Sequence, residues 1–167
     1  MEKNRYELSN SKMTKAYGWL SFCIWLLIAL GGSVRAMNAG LACPDWPLCF
    51  GEFIPDYHPQ VYFEFIHRVF AGGVSVVAVL LACLGFRKKV FKTYQRWIVI
   101  FSLILLATQV VFGGLTVILK LQEMVVTTHL FLGTLFFLLN LFIYLDLKGR
   151  PKPSPLRVSF LYIYFQN

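Results

Sequence analysis

The chain has 167 residues, of which 57% are apolar and 14% are charged, and its mean hydropathy is +0.63. This composition lies outside the range of soluble domains and predicts a membrane protein. The net charge of +8 does not indicate a nucleic-acid partner, because the basic residues cluster beside the apolar stretches in a pattern that membrane topology explains.

Four apolar stretches are each long enough to cross a hydrocarbon core about 30 Å thick, which needs about 20 helical residues. We place the spans at 17–36, 65–86, 97–119 and 125–145. The sequence therefore predicts an all-α integral membrane protein, a bundle of four transmembrane helices. Its parts would be a cytoplasmic arm over residues 1–16, a transmembrane domain over 17–146 and a cytoplasmic tail over 147–167.

The basic residues predict the orientation of the bundle. Thirteen of the sixteen Lys and Arg residues lie before the first span, between the second and third, or after the fourth. Only Arg35, Arg68 and Lys120 lie at the opposite side. Cytoplasmic loops carry the excess of Lys and Arg, so both termini should be cytoplasmic, with the loop at about 37–63 outside the cell (inner) membrane. The first apolar run is longer than the core of a signal peptide, so we expect it to be retained.

Two short glycine motifs suggest an internal repeat. "LGGSV" at 30–34 and "FGGLTV" at 112–117 close the first and third spans at their outer ends, and the span that follows each has a histidine near its outer start. Paired glycines allow helices to approach closely or leave room for a bulky ligand. We therefore expect two related hairpins, each contributing one histidine to a shared site.

The two histidines, His67 and His129, lie at matching depth on alternate spans. Imidazoles in membrane spans are uncommon and usually face the bundle interior, although each could simply bond a neighbouring helix or loop carbonyl. Zinc would need three or four ligands, which the sequence does not offer unless Glu64 joins. A haem iron needs only two axial imidazoles, so the pair favours a haem between the second and fourth spans.

Three charged residues accompany this pair. Arg35 and Arg68, at the outer boundary, could bind haem propionates or could simply extend to the membrane surface. Glu64 precedes His67 by three residues, which places both on one helical face. It could shuttle protons or stabilise positive charge developing on a substrate carbon, or it could only cap the first turn of its helix.

The external loop contains "GLACPDWPLCFGE", with Cys43 and Cys49 around a rigid core of prolines. A disulfide is chemically permitted on the outer side of the membrane. The pair could staple the loop as a lid over the histidines, with Trp46 packing downward, or it could be a redox-active dithiol. Cys23 and Cys83 are interpreted as small apolar packing residues.

Three segments together carry a family resemblance. "GGSVRAMNAGLACPDWPLCFGEFIP", "FEFIHRVFAG" and "QVVFGGLTVILKLQEMVVTTHL" resemble, in order and spacing, the N-terminal half of the heme A synthase family. The resemblance implies half of an eight-helix architecture made of two four-helix halves. It also implies oxidation of the C8 methyl of heme O to a formyl, with oxygen from water, in the biosynthesis of heme A for terminal oxidases.

The resemblance also assigns roles to individual residues. It implies that His67 and His129 hold the iron of the substrate-side haem and that Glu64 is the catalytic carboxylate. Cys43 and Cys49 match the paired cysteines of the family's first external loop. The implied cofactors are heme O and heme A as substrate and product, with heme b as a further possibility.

The chain is shorter than the eight helices that the resemblance implies. The run at 156–167 could begin a fifth span, and we expect a second copy of the chain or a complementary half to complete the protein. Membrane lipid and heme O synthase are further expected partners. Two other functions stay open: a b-type cytochrome that only passes electrons, and a membrane thiol-disulfide oxidoreductase that uses the Cys43 and Cys49 pair.

Overall fold

The computed structural model describes the backbone of residues 2–149 and the side chains of residues 11–149. Four α-helices account for most of this part of the chain: α1 (Glu2–Ala36), α2 (Pro59–Arg87), α3 (Thr93–Ile118) and α4 (Glu123–Lys148). Each contains a segment that is long and apolar enough to cross a membrane. The predicted all-α bundle of four membrane-spanning helices is confirmed.

All four helices begin earlier than their predicted spans, and the difference is largest for α1 and α2. The helix α1 starts at Glu2, so residues 2–16 continue the first span as helix. The helix α2 starts at Pro59, where proline suits the first helical position because it lacks only an N–H that would have no partner there. The loop between α1 and α2 is therefore residues 37–58. The run at 156–167 lies outside the described residues.

The order of packing places the even-numbered helices opposite each other. The helix α1 packs between α2 and α4, while α3 packs along α4 and touches α2 over a shorter stretch. Within the described part of the chain, α2 and α4 do not contact each other, nor do α1 and α3. Side chains from α2 and α4 can therefore approach the same central space from opposite sides.

We call the end of the bundle beside the 37–58 loop the outer end, and the other the basic end. The buried core extends from the middle of the bundle to the basic end and includes Tyr17, Ile24, Phe91, Val99 and Ile143. Large apolar side chains also cover the outside of the bundle, where a bilayer would be their solvent.

Polar contacts tie α3 to α4 along their seam. Asn140 Nδ2 donates to Ser102 Oγ at 3.0 Å, and both residues are buried. Nearer the basic end, the carboxylate of Asp146 accepts hydrogen bonds from Gln95 Nε2, at 2.7 Å, and from the hydroxyl of Tyr94. These contacts fix the antiparallel register of the two helices, and that register sets the level of His129.

Candidate functional site

Each histidine faces a glycine of the neighbouring helix. A Cβ added to Gly31 on α1 would lie 3.0 Å from Cε1 of His67 on α2, and one added to Gly113 on α3 would lie 3.7 Å from Cε1 of His129 on α4. Gly31 and Gly113 are the first glycines of the two repeated motifs. The structure thus confirms two related hairpins, in each of which a glycine makes room for a histidine.

Both imidazoles have a buried nitrogen without a partner. Among the described residues, Nδ1 of His67 and Nδ1 of His129 have no hydrogen-bond partner. The two rings are only partly buried as a whole, and they lie within electrostatic range of each other. Unpartnered polar atoms are expensive in an apolar environment, so their presence in pairs indicates a site built for a ligand.

The ligand set excludes some metal sites and suits a porphyrin. Between residues 11 and 149, no three His, Cys, Asp or Glu side chains come together to hold a metal ion, so a zinc site with Glu64 as third ligand receives no support. Two imidazoles on opposite helices, each beside a glycine, are the residues that could hold the iron of a porphyrin.

The loop at 37–58 is held by the predicted disulfide. Cys43 and Cys49 are joined, with an S–S distance of 2.04 Å, and both residues are almost fully buried. Inside this closed segment the carboxylate of Asp45 accepts the backbone N–H groups of Phe50 at 2.6 Å and Gly51 at 2.7 Å. The N–H of Gly51 is the main reason that the pKa of Asp45 lies below its usual range. Partial desolvation opposes this lowering, and the N–H of Phe50 adds to it.

Arg68 of α2 binds the loop from below. Its guanidinium donates to the carbonyl oxygens of Asp45 and Leu48, each at 2.7 Å, and to that of Cys43 at 3.2 Å. The same group forms a salt bridge of 2.5 Å with Glu64 one turn earlier on α2. We call residues 37–58 the lid. Arg68 thus joins the lid to Glu64 of α2.

Glu64 is buried and shared between the helix and the lid. One carboxylate oxygen bonds Arg68, and the other accepts the backbone N–H of Cys43 at 2.9 Å. The residue is only 4% exposed and precedes His67 by three positions on the same helix. The carboxylate thus ties the disulfide segment to the turn of α2 that precedes His67.

The lid also reaches the second hairpin. A Cβ on Gly114 of α3 would lie 3.2 Å from the ring of Trp46, and one on Gly40 would lie 3.3 Å from the side chain of Leu121, just beyond α3. Gly114 is next to Gly113, which faces His129. The expectation that Trp46 packs downward is confirmed, and the lid covers parts of both hairpins.

The structure brings most of the predicted site residues together, with one exception. Arg35, at the end of α1, is exposed, and its guanidinium forms no hydrogen bond or ion pair within the described part of the chain. Sequence reasoning did not identify Asp45 as the organiser of the loop, although an acidic residue shortly before a glycine is a turn signal. It also did not single out Gln109, a lone amide in an apolar span.

A separate groove lies at the basic end of the bundle. Its volume is about 830 Å³, and it is lined by α1 and α4, including Gly18, Trp19 and Tyr144. These residues are at the opposite end of their helices from the histidine site. The groove is therefore not part of the histidine site. That site is identified by its unpartnered imidazole nitrogens and by the glycines that face the two histidines.

Comparison with known proteins relates this chain to one family model and to several curated proteins. A family model described as "cytochrome oxidase assembly protein" matches residues 16–61 and 56–164. Proteins named heme A synthase are among the relatives. The one from Shewanella oneidensis is 32% identical over 145 residues, which are 76% of this chain and 42% of that protein. The one from Geobacillus thermodenitrificans is 31% identical over 134 residues, 78% of this chain and 41% of that protein.

The matched region is a part of each relative. The chain spans less than half the length of these curated proteins. No solved structure matches it.

Proposed function

Because the chain belongs to the cytochrome oxidase assembly protein family, we propose that it binds a haem at its outer end and acts in the formation of heme A. The relatives named heme A synthase support this role. The observation that carries the proposal is the pair of histidines on opposite helices, each beside a repeated glycine and each with a buried Nδ1 that lacks a protein partner.

In this proposal His67 and His129 hold the haem iron, and the bound porphyrin supplies the carbon that is oxidised. Conversion of a methyl to a formyl with oxygen from water releases four electrons and four protons, so an external electron acceptor is required. The chain's part is to hold the porphyrin, to exclude bulk water with the lid and to place a carboxylate beside it.

We assign to Glu64 the role of stabilising positive charge at the carbon that is oxidised. A fixed negative charge near that carbon would favour loss of electrons from it, because charge is stabilised best by a group already oriented in a dry site. Arg68 and the N–H of Cys43 hold the two oxygens of Glu64 in place. Arg68 is therefore a positioning residue in this proposal, and the exposed Arg35 is the better candidate to bind a propionate.

Two experiments test haem binding and chemistry separately. The purified chain in detergent, titrated with heme O, should develop a Soret band at one haem per histidine pair, and His67→Ala and His129→Ala should each weaken it. Glu64→Gln should retain haem, while heme O or its hydroxylated intermediate accumulates in place of heme A. Absence of a Soret band in the unmodified chain would overturn the haem site, and unchanged heme A production by Glu64→Gln would overturn the role of Glu64.

The buried cysteines weigh against a thiol oxidoreductase. Reactive cysteines are partly exposed in electropositive surroundings, whereas Cys43 is 0% and Cys49 is 2% exposed. A cytochrome that only passes electrons would need the histidines but has no use for Glu64. The Glu64→Gln experiment therefore distinguishes that function from heme A formation.

We also propose that the working enzyme contains a second four-helix unit, supplied by another copy of the chain or by a complementary half. The lengths of the relatives support this second unit, because each relative is more than twice as long as its region that matches this chain. Mass measurement of the haem-loaded protein in detergent tests it. A monomer with full activity would overturn the proposal.

A further inference from the structure

Gln109 lies in the seam between α3 and α4, directly below the histidine of that hairpin. It precedes Gly113 by four residues on α3, and Gly133 follows His129 by four residues on α4. A Cβ on Gly133 would lie 3.2 Å from Oε1 of Gln109. The amide is therefore one helical turn, about 6 Å, deeper in the bundle than His129 and on the same side of α3 as Gly113.

The amide of Gln109 has a buried donor without an acceptor. Among the described residues, Gln109 Nε2, His67 Nδ1 and His129 Nδ1 are the only buried side-chain nitrogen or oxygen atoms that lack a hydrogen-bond partner. Two belong to the proposed iron ligands, and the third belongs to Gln109, one helical turn below the level of His129. An amide N–H left unpaired in a membrane-spanning bundle is costly, so the site gains most from a ligand with an acceptor at that place.

The donor of Gln109 lies at the level where we expect the inner edge of the porphyrin. Charged propionates favour the membrane surface, which puts them at the outer end near Arg35. The opposite edge then points into the bundle, toward the level of Gln109. In heme O that edge carries a side chain with a hydroxyl group, whereas the corresponding group of heme b is an unoxygenated vinyl.

The first hairpin lacks an equivalent amide. The residue four positions before Gly31 is Leu27, which packs against the apolar core. The two hairpins otherwise match in their glycine and histidine positions. Gln109 therefore makes the second hairpin polar at a position where the first hairpin is apolar. This difference suits a ligand that has one polar substituent at its inner edge.

On the basis of the proposed haem site, we propose that Gln109 is a specificity-determining residue that donates a hydrogen bond to the hydroxyl group on the inner edge of the substrate porphyrin. A site built around such a bond discriminates against an analogue without the hydroxyl, because the buried donor is then left unpaired. Gly133 leaves space for the amide. The chain would in this way distinguish hydroxyalkyl porphyrins from heme b.

Two synthetic porphyrins isolate the hydroxyl group. Iron haematoporphyrin and iron mesoporphyrin differ only in that the first has hydroxyethyl groups where the second has ethyl groups. Titration of the purified chain, followed by its Soret band, should give tighter binding of iron haematoporphyrin. In Gln109→Leu this preference should fall by about tenfold, as expected for one buried hydrogen bond. Gln109→Met, another apolar side chain of similar length, should behave in the same way.

Thr108→Val is the matched control. Thr108 is the neighbouring polar residue, but its hydroxyl donates to Ile104 O of its own helix at 2.9 Å on the exposed side, so its removal should leave the preference unchanged. Equal preference in the unmodified chain, Gln109→Leu and Gln109→Met, with both porphyrins bound, would refute the role of Gln109 while leaving the haem site intact. If the unmodified chain binds neither porphyrin, the proposed function itself fails.

Discussion

Two charged side chains, Glu64 and Arg68, lie side by side at the outer end of α2, with 5% and 14% of their surfaces exposed. A buried ion pair adds little to stability over an apolar pair, but removal of one partner leaves an uncompensated charge. Arg68 has a second task here, because it also donates to three carbonyl oxygens of the lid. Removal of Arg68 should therefore destabilise both α2 and the lid.

Arg68→Met should destabilise the haem-free protein by about 3–5 kcal/mol, the usual effect of breaking a buried pair from one side. Chemical unfolding in detergent measures this change in the free energy of unfolding. Arg35→Met provides the control at the same end of the bundle, and its effect should stay within about 0.5 kcal/mol because Arg35 is exposed. A similar loss in both variants would contradict the assignment of Arg68 to the lid.

Gly31→Ala should weaken haem binding by roughly tenfold, because the new methyl group would lie 3.0 Å from Cε1 of His67 and displace the ring. Titration of the Soret band measures the affinity. Gly32→Ala is the matched control, since a Cβ there meets nothing within 4 Å. Equal affinities of the two variants would show that Gly31 does not shape the site.

Among individual residues, the position of the histidine pair was easier to predict from the sequence than the contacts around it. His67 and His129 could be found because histidine is rare in apolar spans and because two glycine motifs mark the same level. The occupation of Arg68 by loop carbonyls could not be found, since it depends on the path of the closed segment between Cys43 and Cys49. Only the folded loop shows which carbonyls point at the guanidinium.

The lid is the element that joins these residues. Asp45 stabilises it as a carboxylate, because two N–H groups donate to its oxygens and lower its pKa. A carboxyl group with a lowered pKa in the folded state contributes stability above the usual pKa range of Asp, and this contribution is lost as the pH falls through the lowered value. The lid should therefore be sensitive to acid.

We expect the lid to keep its structure at pH 5 and to loosen only below about pH 4, the ordinary range of Asp. The fluorescence of Trp46 reports this in a variant whose other three tryptophans are replaced by phenylalanine. Asp45→Asn should remove the acid transition, because an amide has no carboxyl group to protonate as the pH falls. An unchanged transition in Asp45→Asn would assign it to another group.

Hydropathy located all four helices, because each is long and apolar, but it did not locate the start of α2. Residues 59–64 include Gln60 and Glu64 and therefore look like loop, yet they form the first turns of the helix. Their helical structure is supported by tertiary contacts. The lid that packs on these turns buries Glu64, and Gln60 donates to the carbonyl oxygen of Met37 at 3.1 Å.

The whole molecule is a membrane bundle whose orientation is predicted by its charges. The lid carries no Lys or Arg, whereas the connection between α2 and α3 contains Lys88, Lys89 and Lys92. The positive-inside rule places that connection in the cytoplasm and the lid outside.

Single cysteines test this orientation in intact cells. Asp56→Cys, in the lid, should react with a membrane-impermeant maleimide, whereas Lys88→Cys should react only after the membrane is permeabilised. Cys23 and Cys83 are replaced by alanine in both variants, and the bonded pair does not compete for the reagent. The reverse labelling pattern would show that the bundle has the opposite orientation.

The two hairpins are joined by residues 88–92, between α2 and α3. Residues 88–92 contain neither a histidine nor a glycine of the site, and each hairpin holds its own glycine and histidine. Phe91 nevertheless packs against Tyr17 of the first hairpin, and α1 packs along α4. We therefore expect a chain cut between Lys88 and Lys89 to reassemble from its two co-expressed fragments, with a Soret band only when both are present. The peptide link would then be dispensable, and the haem would serve as a bridge between two independently made pieces.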